Sequence, residues 1–185
     1  MRGMMGRGAM SEVFHLNLPV EDKAVLARLR TFDRISLSGN LLVARDQVHK
    51  RLCQLLSDGL PLPVGLEGEM IYYMGPSPAP AGFPIGACGP TTSARMDPFA
   101  PTLLDLGLAG MVGKGPRSRE VVDAIVRNRA IYLQAYGGCG ALYASTVKDV
   151  ETVAFPELGP EALLRLQVED FPALVAIDSL GNSVY

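Results

Sequence analysis

Apolar positions along the chain follow two different periods, and Gly, Pro and Asp mark where one gives way to the other. Residues 21–30 (EDKAVLARLR) carry apolar side chains near helical spacing and predict a short helix. Residues 34–43 (RISLSGNLLV) predict two short strands around the turn signal Gly39-Asn40. Residues 44–56 (ARDQVHKRLCQLL) predict a helix with Asp46 and Lys50 paired one turn apart, ended by Asp58-Gly59. A Pro- and Gly-rich loop over 60–68 leads into a strand over 70–74 (MIYYM). Residues 75–84 (GPSPAPAGFP) must be extended, because proline has no N–H to give a helix or a central strand. Asp97-Pro98 breaks one helical stretch and opens another, which Gly107 closes. Next come a buried strand over 109–112, a helix over 118–127, a strand over 130–134 and a glycine-rich turn into a short helix over 137–144. The tail predicts strands near 150–155, 166–168 and 174–177.

Strands and helices alternate in the second half, which predicts crossover units on a partly parallel sheet; the first half is more hairpin-like. The expected class is α/β, with mixed sheets, crossover helices and more than one β layer. A chain of 185 residues suffices for one core, and no composition shift marks a second domain, so residues 12–185 are expected to form one. Residues 1–11 carry charge without an apolar run behind it; they are expected to be disordered rather than a leader. A net charge of -2 gives no reason to expect nucleic acid or an anionic membrane as partner. The richest apolar stretch, LLDLGLAGMVG, is interrupted by Asp105 and is too short to span a bilayer. Cys53, Cys88 and Cys139 are scattered and form no CxxC, which argues against zinc and thioredoxin-like sites and fits a reducing cytoplasm.

Three stretches carry candidate chemistry. In 86–97 (GACGPTTSARMD), a Gly-Pro turn leads through Thr91, Thr92 and Ser93 into a helical segment, with Arg95 one turn on. Helix starts favour anions, and a guanidinium fork fits a carboxylate. On the local pattern alone, a capped helix with a surface arginine is the simpler account. In 113–118 (GKGPRS), Lys114 lies between a strand and a helix, where sites gather in α/β sheets. The stretch is not a phosphate-binding P-loop: Leu108 stands where the first glycine belongs, and Gly115 follows the lysine. A glycine-lined turn with a solvated lysine is an equal reading. In 44–50, Arg45 opens a helix after a strand; His49 is expected to be structural or solvent-facing rather than catalytic, and Cys139 a small residue needed for close packing. A dicarboxylate needs two or more cationic grips to be held in one orientation, and Arg45, Arg95, Lys114 and the Thr91-Thr92 hydroxyls would supply them.

These stretches, with SLSGNLLVARDQVHK, IYYMGPSPAP, GGCGALYAS, VETVAFPELGPEAL and VEDFPALVAIDSLGN in the same order, resemble the beta subunit of two-subunit class I fumarate hydratases, a family related to the beta subunit of L-tartrate dehydratase. The resemblance runs from about Phe14 to Tyr185. It implies a swivelling β/β/α domain that closes over a four-iron four-sulfur cluster held by an alpha-type partner subunit, in a hetero-oligomer. It implies carboxylate binding by Arg45, Thr91, Thr92, Arg95 and Lys114, with Thr91 at the position considered for the base. The implied activity is reversible hydration of fumarate to L-malate; tartrate dehydration and a non-enzymatic dicarboxylate-binding module are the alternatives. GKGPRS sits closer to the fumarase form, whereas the cysteine in GGCGAL leans toward the tartrate form.

Overall fold

The computed structural model describes residues 12–185; the expectation for residues 1–11 lies outside them. The strands are β1 (Val13–Leu18), β2 (Arg34–Val43), β3 (Met70–Tyr72), β4 (Gly110–Gly113), β5 (Ile131–Gln134), β6 (Val147–Ala154) and β7 (Leu163–Ile177). The α-helices are α1 (Asp46–Ser57), α2 (Ala100–Asp105), α3 (Arg119–Arg127) and α4 (Gly140–Thr146).

All seven strands join one mixed sheet in the order β1-β2-β3-β4-β5-β7-β6. β1 through β5 pair in parallel, whereas β7 runs antiparallel to β5, β6 and β2. Because β7 also pairs with β2, the strands β2, β3, β4, β5 and β7 close into a ring. The two-residue period of a strand then sorts side chains between two cores. Met70, Tyr72, Val112, Ile131 and Leu133 pack inward with Leu37, Phe171 and Val175. Ile71, Tyr73, Met111 and Tyr132 point outward, against Val48 and Leu52 of α1, Leu103 and Leu104 of α2, and Val121, Ala124 and Ile125 of α3. Full burial of such aliphatic side chains contributes roughly 1.5–3 kcal/mol each, which fixes the helices to the sheet.

The expected α/β class with a mixed sheet and crossover helices holds, but the first half is not hairpin-like, because β1, β2 and β3 pair in parallel, and several element details differ as well. Residues 34–43 form one strand, not a pair around a turn. Gly39 does leave ordinary strand geometry, at φ +113°, but it does so as a bulge opposite β7. A Cβ at Gly39 would overlap the Leu18 carbonyl, so the glycine permits close approach of β1. The tail strands expected near 166–168 and 174–177 are parts of the single 15-residue β7, which serves three neighbours at once. The helix expected over 21–30 is a 3-10 turn, Lys23–Arg28, capped by the Asp22 side chain at 2.8 Å from Ala24 N. The helix expected to open at Pro98 opens at Ala100, with Pro101 in its first turn.

Candidate functional site

Since β1 to β5 are parallel, their carboxyl ends share one edge of the sheet, and the loops that leave this edge carry every stretch singled out above. Arg45 follows β2 and precedes α1. The long loop after β3 returns to the edge at residues 90–96. Lys114 is the first residue after β4. The glycine-rich turn before α4 follows β5.

Backbone contacts bring the middle two loops together. Met74 bridges to Pro90, Thr91 N–H donates to the Tyr73 carbonyl at 2.7 Å, and Thr92 bridges in parallel to Lys114. Ser93 N–H donates to the Lys114 carbonyl, and Lys114 N–H donates to Ser93 Oγ, both at 3.0 Å. Tyr132 Oη lies 2.9 Å from Ser93 Oγ and 2.9 Å from the Gly115 carbonyl. With the Lys114 N–H already donating, one consistent chain runs from Lys114 N–H to Ser93, from Ser93 O–H to Tyr132 and from Tyr132 O–H to Gly115. Gly113 makes this possible: a Cβ there would overlap Ser93 Oγ. Lys114 and Thr91 are left half-buried, and Thr92 exposed, at the rim.

The arginines come from the flanks. Arg95 pairs with Asp46 at the first turn of α1, so Asp46 does not make the expected pair with Lys50. Arg45 lies 3.3 Å from Glu161 and packs against Gly75, where a Cβ would collide with its guanidinium. The Arg45–Asp46 junction thus meets Arg95, and Thr92 meets Lys114, on one edge. The turn expected to offer a helix start to anions is only a four-residue 3-10 segment, Ser93–Met96, with no side-chain cap. The cationic side chains, rather than a helix terminus, supply positive charge here. Ser93 faces inward and is buried. The Thr91 hydroxyl makes no hydrogen bond among the described residues.

Beneath this edge lies a buried polar cluster that the sequence reading passed over. The Arg117 side chain is 0% exposed, and its Nε donates to Asp97 at 2.7 Å. Its guanidinium lies 5.3 Å from the Tyr73 ring centroid and 5.0 Å from that of Tyr132. Burial pushes the Tyr73 hydroxyl up, with Arg117 pulling the other way. His49 is fully buried against Tyr73, with ring centroids 5.3 Å apart, and the Arg45 carbonyl is 2.8 Å from its Nδ1. Burial lowers its pKa to about 4, so of the structural and solvent-facing readings it takes the structural one, as a neutral core residue. GKGPRS contains Arg117, yet nothing in its spacing distinguishes a buried arginine from a surface one.

Among the described residues no three His, Cys, Asp or Glu side chains come together as a metal-binding group. Cys53 lies on α1, and Cys139 precedes α4. Cys88 is buried with its thiol 3.2 Å from the Gly86 carbonyl, and burial pushes it up to about 11. No helix among the described residues is long and apolar enough to cross a membrane.

The chain is 41% identical over 175 residues to the anaerobic class I fumarate hydratase of Escherichia coli, covering 92% of this chain and 32% of that protein. It is 40% identical over 154 residues to fumarate hydratase 2 of Leishmania major, covering 82% and 27% respectively. It is 37% identical over 169 residues to a Methanocaldococcus jannaschii protein named for the beta subunit of L(+)-tartrate dehydratase, covering 88% of this chain and 87% of that one. The chain therefore spans about a third of the fumarate hydratases it matches and most of the tartrate dehydratase relative. With residues 4–185 matched from end to end, the chain belongs to the family described as the fumarase C-terminus.

Proposed function

We propose that this chain is the substrate-gripping beta subunit of an iron–sulfur hydro-lyase that interconverts fumarate and L-malate, with residues 12–185 as its single swivelling β/β/α domain. The observation that supports the reading is the cationic edge: Arg45, Arg95 and Lys114 come from separate loops of one sheet edge, Arg95 pairing with Asp46 beside Arg45 and Lys114 bridging to Thr92. A dicarboxylate bridging them would be held at both ends, so that its central carbons are presented in one orientation. When a proton leaves C3 of malate, negative charge grows on the adjoining carboxylate, and a guanidinium or ammonium already in place stabilises that charge without reorganisation. Thr91, half-buried at the rim, is the candidate for the proton-transfer role. Its hydroxyl needs a partner to take up the proton, and that partner belongs to the assembled enzyme.

The cluster fits the partner rather than this chain, whose cysteines do not converge. Held by an alpha-type subunit, it would act as Lewis acid toward the departing hydroxyl. The likeness to a relative named as a beta subunit supports placing the cluster on an alpha-type partner, in a cytoplasmic hetero-oligomer.

The test is co-expression with an alpha-type partner, anaerobic iron reconstitution, and assay of fumarate, L-malate and L-tartrate. Fumarate hydration by the complex but not by the isolated chain is the expected result; no turnover of any hydroxy-diacid overturns the reading. Preference for tartrate is the second reading, favoured by the relative of matching length named for that enzyme.

A further inference from the structure

Arg117 is buried at a place where stability alone does not call for an arginine. Taking a guanidinium out of water costs several kcal/mol, and well-packed apolar residues of similar volume are often as stabilising as a buried ion pair. Arg117 Nη2, Tyr73 Oη and His49 Nε2 are buried around it, so the enclosed site is polar rather than apolar. What an arginine does here, and an apolar residue would not, is tie separate segments together. Its Nε takes one oxygen of Asp97 at 2.7 Å, while the other Asp97 oxygen accepts Ser118 N–H at 2.6 Å. Its flat face lies between Tyr73, just past β3, and Tyr132 of β5.

These segments are the walls around Lys114. Asp97 directly follows the turn that holds Ser93; Ser93 brackets Lys114 through both of its backbone groups; Tyr132 joins Ser93 to Gly115. We propose that Arg117 is a positioning residue, a buried clamp that fixes the Lys114 turn against the Thr92–Ser93 segment and so sets where the Lys114 ammonium meets a substrate carboxylate. The role in substrate binding rests on the hydro-lyase reading; the clamp itself does not. A displacement of about 1 Å in such a group costs on the order of a hundredfold in rate, so a clamp is worth the burial of a charge.

The clamp is tested by amide hydrogen exchange on the full chain and by kcat/KM of the assembled enzyme. Arg117→Met combined with Asp97→Asn removes both charges together and avoids an orphaned one; Arg117→Lys keeps the charge but loses the planar fork. The expected result in both is at least about tenfold faster exchange of the Ser93 and Lys114 amides, with the β2 and β7 amides of Leu37 and Val168 unchanged, and at least about tenfold lower kcat/KM. Exchange at Ser93 and Lys114 within about twofold of wild type overturns the proposal. Equal acceleration of all four amides does so too, since that describes a core residue and not a local clamp. If exchange behaves as expected while the wild-type assembly turns over no dicarboxylate, the clamp stands and the hydro-lyase reading falls.

Discussion

Lys114→Met should leave the fold intact and cripple the reaction. The backbone of Lys114 is held through its N–H and carbonyl, both against Ser93, and neither contact involves the ammonium. The side chain is half-buried and makes no ion pair among the described residues, so its removal strands no partner charge. The thermal midpoint should therefore move by only a degree or two, the range of surface substitutions. A hydrogen bond from a charged group to a carboxylate contributes roughly 1.5–3 kcal/mol net. Losing about 2 kcal/mol of transition-state stabilisation lowers kcat/KM about thirtyfold. Arg95→Ala gives the control. It loses the same kind of substrate contact together with its pairing to Asp46, and because Arg95 is 48% exposed that pairing is worth at most about 1 kcal/mol. The assay is fumarate consumption by the complex with its alpha-type partner, alongside thermal denaturation of each variant. If both variants retain kcat/KM within about threefold of wild type, the cationic edge does not hold the substrate and the functional reasoning fails.

Asp46→Asn frees Arg95 from an internal competitor and should lower KM for the dicarboxylate by up to about fivefold; a raised KM would show that Asp46 holds Arg95 in place instead. Gly39→Ala forces a Cβ onto the Leu18 carbonyl at φ +113° and should cost about 3 kcal/mol, seen as a lowered urea midpoint; an unchanged midpoint contradicts the close approach of β1 to β2. His49 has its pKa depressed to about 4 in the folded chain, below the ordinary 6.5, so the unfolded chain binds more protons between those values. The neutral form's stability is complete above pH 6.5 and is lost as pH falls toward 4, by up to about 3 kcal/mol. Urea unfolding of wild type and His49→Asn across this window should show the steeper loss in wild type; parallel curves contradict a buried neutral His49.

The α/β class and the order of elements were legible because they depend on local periods. The two-residue alternation of Met70–Tyr72 and the apolar stripe Val121, Ala124, Ile125 of α3 each announce their element within a single window. The misread details are those in which pairing overruled a local signal. Gly39-Asn40 reads as a hairpin turn in isolation, but β2 is flanked by β1, β3 and β7, and a turn there would forfeit hydrogen bonds on both sides of the strand. The long β7 was split for a similar reason, since Asp170 and Pro172 interrupt its pattern while its neighbours hold it extended.

The candidate site divides in the same way. Arg45, Thr91, Arg95 and Lys114 were candidates by residue type and by the family resemblance, their local patterns reading also as a capped helix and a solvated turn; parallel strands bring such positions to a common edge whatever lies between them in sequence. Which side chains would meet was not legible. Arg95 finds Asp46 across 49 residues, and Ser93 finds Tyr132 across 39, through the register of β3, β4 and β5 rather than through spacing. Register also settles the contrast between Lys114 and Arg117, three positions apart in one motif. Lys114 leaves the end of β4 on the open rim, whereas the chain has turned at Gly115, φ +83°, before Arg117, whose side chain therefore runs back under the sheet edge between two tyrosines. Within one short basic motif, the turn at Gly115 thus separates a rim cation, the candidate for the ligand, from a buried one, the proposed clamp.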